Sequence, residues 1–339
     1  MPHFPRDHRP VAMPARRQLL QRTAAALLLG GLSHRASAVT FSKPLRLTLG
    51  FSAGGGADLV ARMLAATMSP ILGQPVIVNN KAGAGGRLAV MAVKSAEPDG
   101  SMLFFGSTSV LTLFPHVFTG LQYDLYRDFT PVSTACWFPY AVVVSPNTGV
   151  SDVAGLAAWV KAHPAKAFFG TPGVGTPQHL IGSLLAKELG APLTHLPFKS
   201  GSEATQQLLA GELPIVVATA GQFYGLHRSG RVRMVATTGR NRAAAMSNIP
   251  TFTEQGMPAI QFEDSFGFVG PANLPTAERE ALSQCIGQTI KAPAVDQGLR
   301  KQDMEPLLVQ DAAYATYLRE ERDRWGSVVR DLKFTPTKE

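Results

Sequence analysis

The sequence predicts an α/β fold in which parallel strands alternate with helices. A short apolar strand, a glycine-rich or small-residue turn and a helical segment follow one another three times between residues 45 and 109, and the succession starts again after residue 141. The 339 residues are 45% hydrophobic and 17% charged, which is enough apolar material for one large domain or two modest ones. The chain as a whole is therefore not disordered.

The first half holds three strand–loop–helix units. The predicted strands are residues 45–51, 76–78 and 102–105, and the loops that follow them are residues 52–58, 82–86 and 106–109. The first helix has apolar residues at helical spacing and is predicted to end near Ser69-Pro70, and the second runs through Val93. Successive units of this kind favour a parallel sheet with helices on both faces.

The second half repeats the pattern. Its predicted strands are residues 141–144, 167–169, 196–198, 213–218, 232–238 and 266–269, and its predicted helices are residues 153–162, 178–189, 203–210 and 314–332. Gly173 and Gly175 lie in the loop between the second of these strands and its helix. A strand, a glycine-rich loop and a helix thus recur in both halves.

The charge distribution excludes a nucleic-acid partner. The formal charge of the chain is +8, but residues 1–38 hold six arginines and one acid, so the rest of the chain carries only +3. A nearly neutral body offers no electrostatic surface for DNA or RNA.

Residues 1–38 are predicted to be a signal peptide. Arg16, Arg17 and Arg22 precede an apolar run at residues 24–32, and Ala36-Ser37-Ala38 supplies a small-residue cleavage pattern. The apolar run is less than half the ~20 residues that a membrane-spanning helix needs. We therefore expect cleavage near Ala38 and export to the periplasm.

The start codon and the export route stay open at this point. Met13 begins a more conventional signal than Met1, because the residues between them form an irregular polar leader with three prolines. Arg16-Arg17 resembles a twin-arginine signal, but an ordinary secretory signal also has adjacent arginines, so either route fits.

The cysteines and histidines indicate no metal site and no cofactor. Cys136 and Cys285 are the only cysteines, and no CxxC or HExxH pattern is present. A disulfide between the two is possible in an oxidising compartment, but a chain of this size does not need one.

Two glycine-rich loops are candidates for binding an anion. We call residues 52–58 the first loop and residues 171–179 the second loop. Each precedes a predicted helix, where free backbone N–H groups and the positive end of the helix dipole suit an anion. A purely structural role, in which the glycines only allow tight turns, also fits. If the two halves face each other, each loop binds one carboxylate of a small dicarboxylate.

A dinucleotide or P-loop site is disfavoured, because no GxGxxG opens the first helix and no Gly-Lys-Ser/Thr follows.

Ordered motifs resemble the Bug-type extracytoplasmic solute receptors of tripartite tricarboxylate transporters. They are Phe51 with Gly54, Gly55 and Asp58; Asn80-Lys81-Ala82-Gly83-Ala84-Gly85-Gly86; Pro98-Asp99-Gly100; residues 170–179; residues 249–256; residues 270–275; and Arg324-Trp325-Gly326. Ser52 and Ala53 replace two prolines of the family pattern. The resemblance extends to nearly the whole chain after the signal peptide.

The resemblance implies a two-lobed type II periplasmic-binding-protein fold with two hinge-crossing segments. One lobe would comprise residues 39–142 and 263–339, and the other residues 143–262. The crossovers are expected near residues 139–144 and 262–268.

The resemblance also implies the ligand contacts. In the first loop they are Ser52, Ala53, Gly54, Gly55, Gly56 and Asp58; after the third strand, Ser107 and Thr108; and in the second loop, Thr171, Gly173, Val174, Gly175, Thr176 and His179. From the chemistry of the residues, Asp58 is better suited to ordering its helix start than to contacting an anion, since like charges repel. His179, in the first turn of its helix, likewise fits a structural role. Arg87 either adds charge to the cleft or is solvated.

These observations predict a periplasmic, monomeric, non-enzymatic solute-binding protein. It would capture a small carboxylate, either a di- or tricarboxylate or an aromatic acid, and deliver it to membrane transporter subunits. Two alternatives are a ligand-sensing partner of a membrane signalling protein and a small-acid hydrolase using Ser107 or Ser200 with His179 or His195. His195 lies outside the matched loops, so its replacement is expected to change little.

The signal peptide gives a first testable prediction. The exported protein should begin at or near Val39, because Ala36-Ser37-Ala38 is the only good cleavage pattern after the apolar run. Sequencing the N-terminus of periplasmic protein checks this, and a mature chain that retains residues before Arg16 would contradict it.

Overall fold

The structure is a computed structural model that describes residues 1, 3 and 41–338. The chain divides into two units, residues 1–40 and residues 41–339, of which the structure describes almost only the second. The predicted signal peptide and its cleavage site fall almost wholly outside the described residues. The second unit carries the α/β fold.

Strands and helices alternate through the second unit. The strands are β1 (Leu45–Leu49), β2 (Val76–Asn80), β3 (Met102–Ser107), β4 (Phe118–Thr119), β5 (Phe129–Val144), β6 (Phe168–Thr171), β7 (Thr194–Pro197), β8 (Ile215–Thr219), β9 (Arg233–Thr237), β10 (Glu263–Pro271), β11 (Glu305–Pro306) and β12 (Thr337–Lys338). The α-helices are α1 (Gly56–Leu72), α2 (Arg87–Lys94), α3 (Ser109–Thr112), α4 (Phe114–Val117), α5 (Leu125–Asp128), α6 (Val153–Ala162), α7 (Pro177–Leu189), α8 (Gly201–Ala210), α9 (Ala220–Arg228), α10 (Thr276–Ile290), α11 (Pro293–Lys301) and α12 (Asp311–Asp331). The prediction of an α/β chain is confirmed.

The main sheet has the strand order β2-β1-β3-β10-β5-β8-β6-β7, and β9 and β11 also pair with β5. Strands β1, β2 and β3 are parallel to one another, and so are β6, β7 and β8. Between these groups, β10 and β5 run antiparallel to their neighbours. The predicted parallel strands are thus confirmed as two groups, and an antiparallel centre joins them.

Strand β5 belongs to two half-sheets. Its residues up to Pro139 pair with β10, whereas Tyr140–Val144 pair with β8 and β9. On the return path, Phe262 donates its N–H to Thr238, and from Glu263 onward the chain pairs with the first part of β5. We call the part of the sheet with β1, β2 and β3 the first half-sheet and the part with β6, β7 and β8 the second. Both changes of strand partner coincide with predicted crossovers. The change at Pro139–Tyr140 lies within residues 139–144, and the change at Phe262–Glu263 lies at the start of residues 262–268.

Strand β5 is longer than predicted. The sequence predicted only residues 141–144, and the part of the strand that was not predicted contains Pro131 and Pro139. Pro131 lies opposite Val269, where the register with β10 shifts, and Pro139 is the last residue before β5 changes partners. Both prolines sit where the hydrogen-bond ladder is interrupted, so the strand tolerates them.

Both faces of the second half-sheet are buried. Successive side chains of a strand point to opposite faces. In β5, Val142 and Val144 belong to one hydrophobic core, and Ala141 and Val143 to another. The predicted arrangement with helices on both faces accordingly holds for this half.

Some helices differ from the prediction. Helix α1 continues past Ser69-Pro70, and its last residue is Leu72. Gly73 is the C-cap, and its φ of 67° gives the left-handed conformation of the cap. Proline so near the end removes one N–H without breaking the helix. Helices α9, α10 and α11 were not predicted.

Cys136 and Cys285 do not pair. Both are buried and free. Cys136 Sγ lies 3.7 Å from Met304 Sδ, whereas Cys285 Sγ lies 3.8 Å from the carbonyl oxygen of Met68. Burial raises the pKa of Cys136 to about 12 and that of Cys285 to about 11, so both stay as thiols.

Gly182 and Gly225 form a matched pair for testing how tightly α7 packs. A Cβ on Gly182 would lie 2.0 Å from Phe169 Cε2, whereas one on Gly225 in α9 would meet nothing within 4 Å. Gly182→Ala should lower the free energy of unfolding by about 1–3 kcal/mol through overpacking. Gly225→Ala should be neutral or raise it by up to about 1 kcal/mol, because alanine is the better helix former. Urea unfolding measures both, and equal stability of the two variants would contradict the packing.

Candidate functional site

The candidate loops follow the carboxyl ends of parallel strands. In the first half-sheet β1, β2 and β3 end at Leu49, Asn80 and Ser107, and in the second half-sheet β6, β7 and β8 end at Thr171, Pro197 and Thr219. Parallel strands end at the same edge, so each half-sheet gathers three loops there, and ligands of open α/β sheets bind at such an edge. The first loop follows β1, and the second loop follows β6.

Asp58 holds the first loop together. Its carboxylate accepts hydrogen bonds from the Gly54 N–H, from Arg62 Nε and from Asn80 Nδ2, each at 2.9 Å. The side chain is only 3% exposed. The hydrogen bonds from Arg62 and Gly54 lower the pKa of Asp58 from 3.8 to about 2. These contacts support the interpretation that Asp58 orders the start of its helix.

Glycine is required at one position of the first loop by its backbone conformation. Gly54 has a φ of 85°, which other residues rarely adopt. Gly55, the N-cap of α1, has an ordinary φ of −81°. Gly55 and Gly56 are exposed, as are Ser52 and Ala53. The first turn of α1 therefore begins at an open surface, and its N–H groups have no partner within the helix.

Two threonines fold the second loop onto itself. Thr171 Oγ1 donates to the Gly173 carbonyl at 3.1 Å and accepts from the Gly173 N–H at 3.3 Å. Thr176 Oγ1 donates to the same carbonyl at 2.9 Å, and as the N-cap of α7 it accepts from the His179 N–H at 3.3 Å. Gly173 has a φ of 147°, and Val174 is the exposed residue at the tip of the loop.

Two histidines lie behind the second loop. His179 Nδ1 accepts from the Gly175 N–H at 3.2 Å. His195 Nε2 lies 2.6 Å from Thr171 Oγ1, and the two imidazole rings stack with their centroids 3.7 Å apart. Burial lowers the pKa of His179 to about 4 and that of His195 to about 3, the latter aided by the nearby His179. His195 thus contacts the second loop although it lies outside the motif residues, and the expectation that its replacement changes little stays a prediction.

The side chains of Ser107 and Thr108 donate hydrogen bonds to a buried carboxylate. Ser107 Oγ donates to Asp264 at 2.6 Å, and Thr108 Oγ1 donates to the other Asp264 oxygen at 3.1 Å. Tyr140 Oη also donates to Asp264, at 2.7 Å. The Thr108 N–H donates to the Ser265 carbonyl at 2.9 Å. The hydroxyls thus tie the end of β3 to the crossover strands, and their predicted contact with ligand stays a prediction.

The second loop meets the first half of the chain at Phe118. A Cβ on Gly175 would lie 3.1 Å from Phe118 Cζ. The Arg87 guanidinium stacks over the Phe118 ring at 4.5 Å from its centroid. Arg87 opens α2 beside the first loop, since a Cβ on Gly50 would lie 2.5 Å from the Cα of Gly86. Arg87 and Phe118 therefore link the start of α2 with the second loop.

Two further residues lie at these edges that the sequence did not predict as ligand contacts. Thr219 and Ser200 cap α9 and α8 at the ends of β8 and β7, beside the second loop. A Cβ on Gly221 would lie 2.8 Å from Asp303 Cβ, so the start of α9 also meets the first half of the chain. The signal that could have found them is the same strand–loop–helix pattern that marked the two loops.

A groove of about 450 Å³ lies at the opposite end of the second half-sheet. Its lining residues include Trp159, Lys166 and Phe168, at the amino end of β6. None of the predicted site residues lines it. Among residues 41–338, no three His, Cys, Asp or Glu side chains are grouped to hold a metal ion.

Comparison with known proteins identifies the family. The family model described as "Tripartite tricarboxylate transporter family receptor" matches residues 60–334. The chain belongs to this receptor family. A "UPF0065 protein in gbd 5'region" of Cupriavidus necator is 32% identical to this receptor over 309 residues, which cover 91% of this chain and 93% of that protein.

Solved structures share the fold of this receptor. The periplasmic binding protein BugD matches with a TM-score of 0.78 and 24% identity, over 88% of this chain and 99% of that one. MatC from Rhodopseudomonas palustris, solved with bound malate, matches with a TM-score of 0.75 and 26% identity, over 85% and 99% of the two chains. The predicted Bug-type receptor and its two-lobed type II periplasmic-binding-protein fold are confirmed. The lobe boundaries stay a prediction, and so do the contact residues.

Within the part of the chain that the structure describes, no helix is both long enough and apolar enough to cross a membrane.

Asp58 gives a test of the first loop. Asp58→Asn removes the charge that pairs with Arg62 and should lower the free energy of unfolding at pH 7 by about 1–3 kcal/mol. Because the pKa of Asp58 is lower in the folded state, the contribution is fully present above about pH 4 and is lost as the pH falls through 2. Urea unfolding at pH 7 and at acid pH checks this. The exposed Asp323→Asn serves as control, and an Asp58→Asn variant no less stable than that control at pH 7 would contradict the network.

Proposed function

We propose that this receptor binds a small dicarboxylate between the first loop and the second loop and delivers it to the membrane subunits of a tripartite tricarboxylate transporter. The observation that carries the proposal is the position of the loops. Each follows the carboxyl end of a parallel strand and leads into a helix N-terminus, one in each half-sheet. Two such loops suit a ligand with a negative group at each end.

The surroundings of the loops support an anionic ligand with a short carbon body. The charge of Asp58 is already paired with Arg62, which reduces its repulsion of an anion. Phe51, directly before the first loop, is 39% exposed, and its ring lies 6.0 Å from that of Phe266. It offers an apolar surface to a hydrocarbon chain or an aromatic ring. A malate-bound relative, MatC, further supports a dicarboxylate.

We also propose that the ligand closes two lobes. Lobe 1 comprises residues 39–142 and 263–339, and lobe 2 comprises residues 143–262. The exchange of partners at Pro139–Tyr140 and at Phe262–Glu263 supports hinges there, because at these two points the backbone passes from one half-sheet to the other. A ligand that binds both lobes at once shifts the population toward the closed form.

A hydrolytic activity finds little support in the geometry. Ser107 Oγ donates to Asp264, and Ser200 Oγ accepts from the Glu203 N–H, so neither serine is paired with a histidine. His195 contacts the hydroxyl of Thr171, but with a pKa of about 3 it is a poor base for removing a hydroxyl proton. We therefore propose a receptor without catalytic activity, exported to the periplasm and monomeric there.

The direct test is a ligand screen on the mature protein. Thermal shift over dicarboxylates, tricarboxylates, aromatic acids and amino acids should single out dicarboxylates. A ligand at a hundred times its Kd stabilises the protein by ~2.7 kcal/mol. Calorimetry then gives the affinity, and small-angle scattering should give a smaller radius of gyration with ligand. Binding by none of the acids, or turnover of any of them, would contradict the proposal.

Four glycine variants test the two loops. Gly54→Val and Gly173→Val place a branched side chain at a positive φ within the loops, and each should abolish binding of the identified acid. Gly73→Val and Gly190→Val impose a similar backbone strain at the helix C-caps, where a Cβ meets nothing within 4 Å, and should retain binding. Circular dichroism checks folding. Unchanged affinity of both folded loop variants would mean that the acid binds elsewhere.

A further inference from the structure

The second loop is braced by two aromatic rings. The imidazoles of His179 and His195 stack with an interplanar angle of 15°. Phe169 lies beside His195, with ring centroids 5.0 Å apart, and Phe334 meets His179 edge-on at 5.4 Å. The stack is thus partly buried, with Phe169 of β6 on one side and Phe334 of the C-terminal segment on the other.

Each imidazole holds one end of the loop. His195 Nε2 contacts the hydroxyl of Thr171, where β6 ends, and His179 Nδ1 accepts from the Gly175 N–H near the start of α7. Gly175 is buried and has a φ of 74°, so its conformation depends on its surroundings. The ring stack therefore connects both ends of the loop.

We propose that His179 and His195 are positioning residues that hold the second loop in its ligand-binding conformation, and that they do so only as neutral rings. The inference rests on the proposed function, since it assigns a role within that binding site. Neither ring is required to touch the ligand.

The hydrogen bond to Gly175 requires a neutral His179. Its Nδ1 can accept only when the ring proton is on Nε2, because a protonated imidazole carries N–H groups at both nitrogens and has no acceptor. Protonation would place two donors, the Gly175 N–H and the Nδ1–H, against each other. Two protonated rings 3.7 Å apart would also repel. Charging the stack therefore releases the loop.

The surroundings favour the neutral form. Burial is the largest cause of the low pKa of each ring. Charged groups also lie on the elements around the stack. Lys187 of α7 is paired with Asp331 of α12. Lys333 directly precedes Phe334 in the chain, and Lys199 follows β7 beside Glu203. Because the folded pKa values lie below the ordinary 6.5, the brace is at full strength above about pH 6.5 and weakens as the pH falls toward 4.

Three variants separate the roles of the two rings. His179→Phe keeps an aromatic ring in the stack but cannot accept from Gly175, and should weaken binding of the identified acid about tenfold or more. His179→Asn places an acceptor oxygen near the position of Nδ1 and should recover part of the affinity. His195→Phe keeps the stack and loses only the contact with Thr171, so its effect should be smaller. The control is His163→Phe, at a ring that stacks on Trp159 beside the distant groove.

Nuclear magnetic resonance tests the pair without any ligand. In the folded wild type, ¹⁵N shifts of the imidazoles should show His179 neutral, with its proton on Nε2, down to at least pH 5. The Gly175 amide should exchange slowly with solvent and should lose this protection in His179→Phe. Titration of His179 near its ordinary pKa, or binding by folded His179→Phe equal to that of the His163→Phe control, would overturn the inference. Failure of the wild type to bind any acid, with these spectra as expected, would refute the proposed function and leave the brace intact.

Discussion

The arrangement of the receptor depends on β5 being shared by two half-sheets. Backbone N–H and C=O groups must find partners when they are buried, and β5 satisfies its own first with β10 and then with β8 and β9. The change at Pro139–Tyr140 lets a single strand serve two sheets. It also attaches both parallel groups to the same antiparallel centre. Asp264 reinforces this junction by accepting from Tyr140 on one crossover and Ser107 at the end of β3.

Within the loops, the glycines mainly allow the backbone conformation, and neighbouring side chains then fix it. The N–H groups of Gly54 and Gly175 are held by Asp58 and His179, so neither is a free donor in this conformation. In the proposed binding mode, recognition of an anion would fall to the remaining N–H groups of the helix starts, whose directions are set by these internal bonds. Such preorganisation lowers the cost of ordering the loop on binding.

Much of this could be predicted from the sequence, because the strand–loop–helix pattern and the turn glycines are local signals. The positions of β1, β2, β3 and β6 followed from apolar runs ahead of glycine clusters. What escaped prediction depends on distant partners. The full length of β5 was not predicted; the strand contains Pro131 and Pro139, which it tolerates because the register with β10 shifts at Pro131 and the ladder with β10 ends at Pro139. The place of His195 behind Thr171 arises from the pairing of β6 with β7, which no local pattern encodes.

The choice of neutral groups around the second loop has a further consequence for specificity. N–H donors and unprotonated imidazoles carry no net charge, so in the proposed binding mode the second loop would offer a carboxylate directional hydrogen bonds rather than a counter-ion. Hydrogen bonds of this kind would not by themselves distinguish one carboxylate from another. In the proposed site, discrimination among acids would then rest on the side chains that surround the carbon body, for which the exposed Phe51 and Arg87, which covers Phe118, are candidates. A receptor family can therefore keep its loops and change its ligand by changing these few side chains.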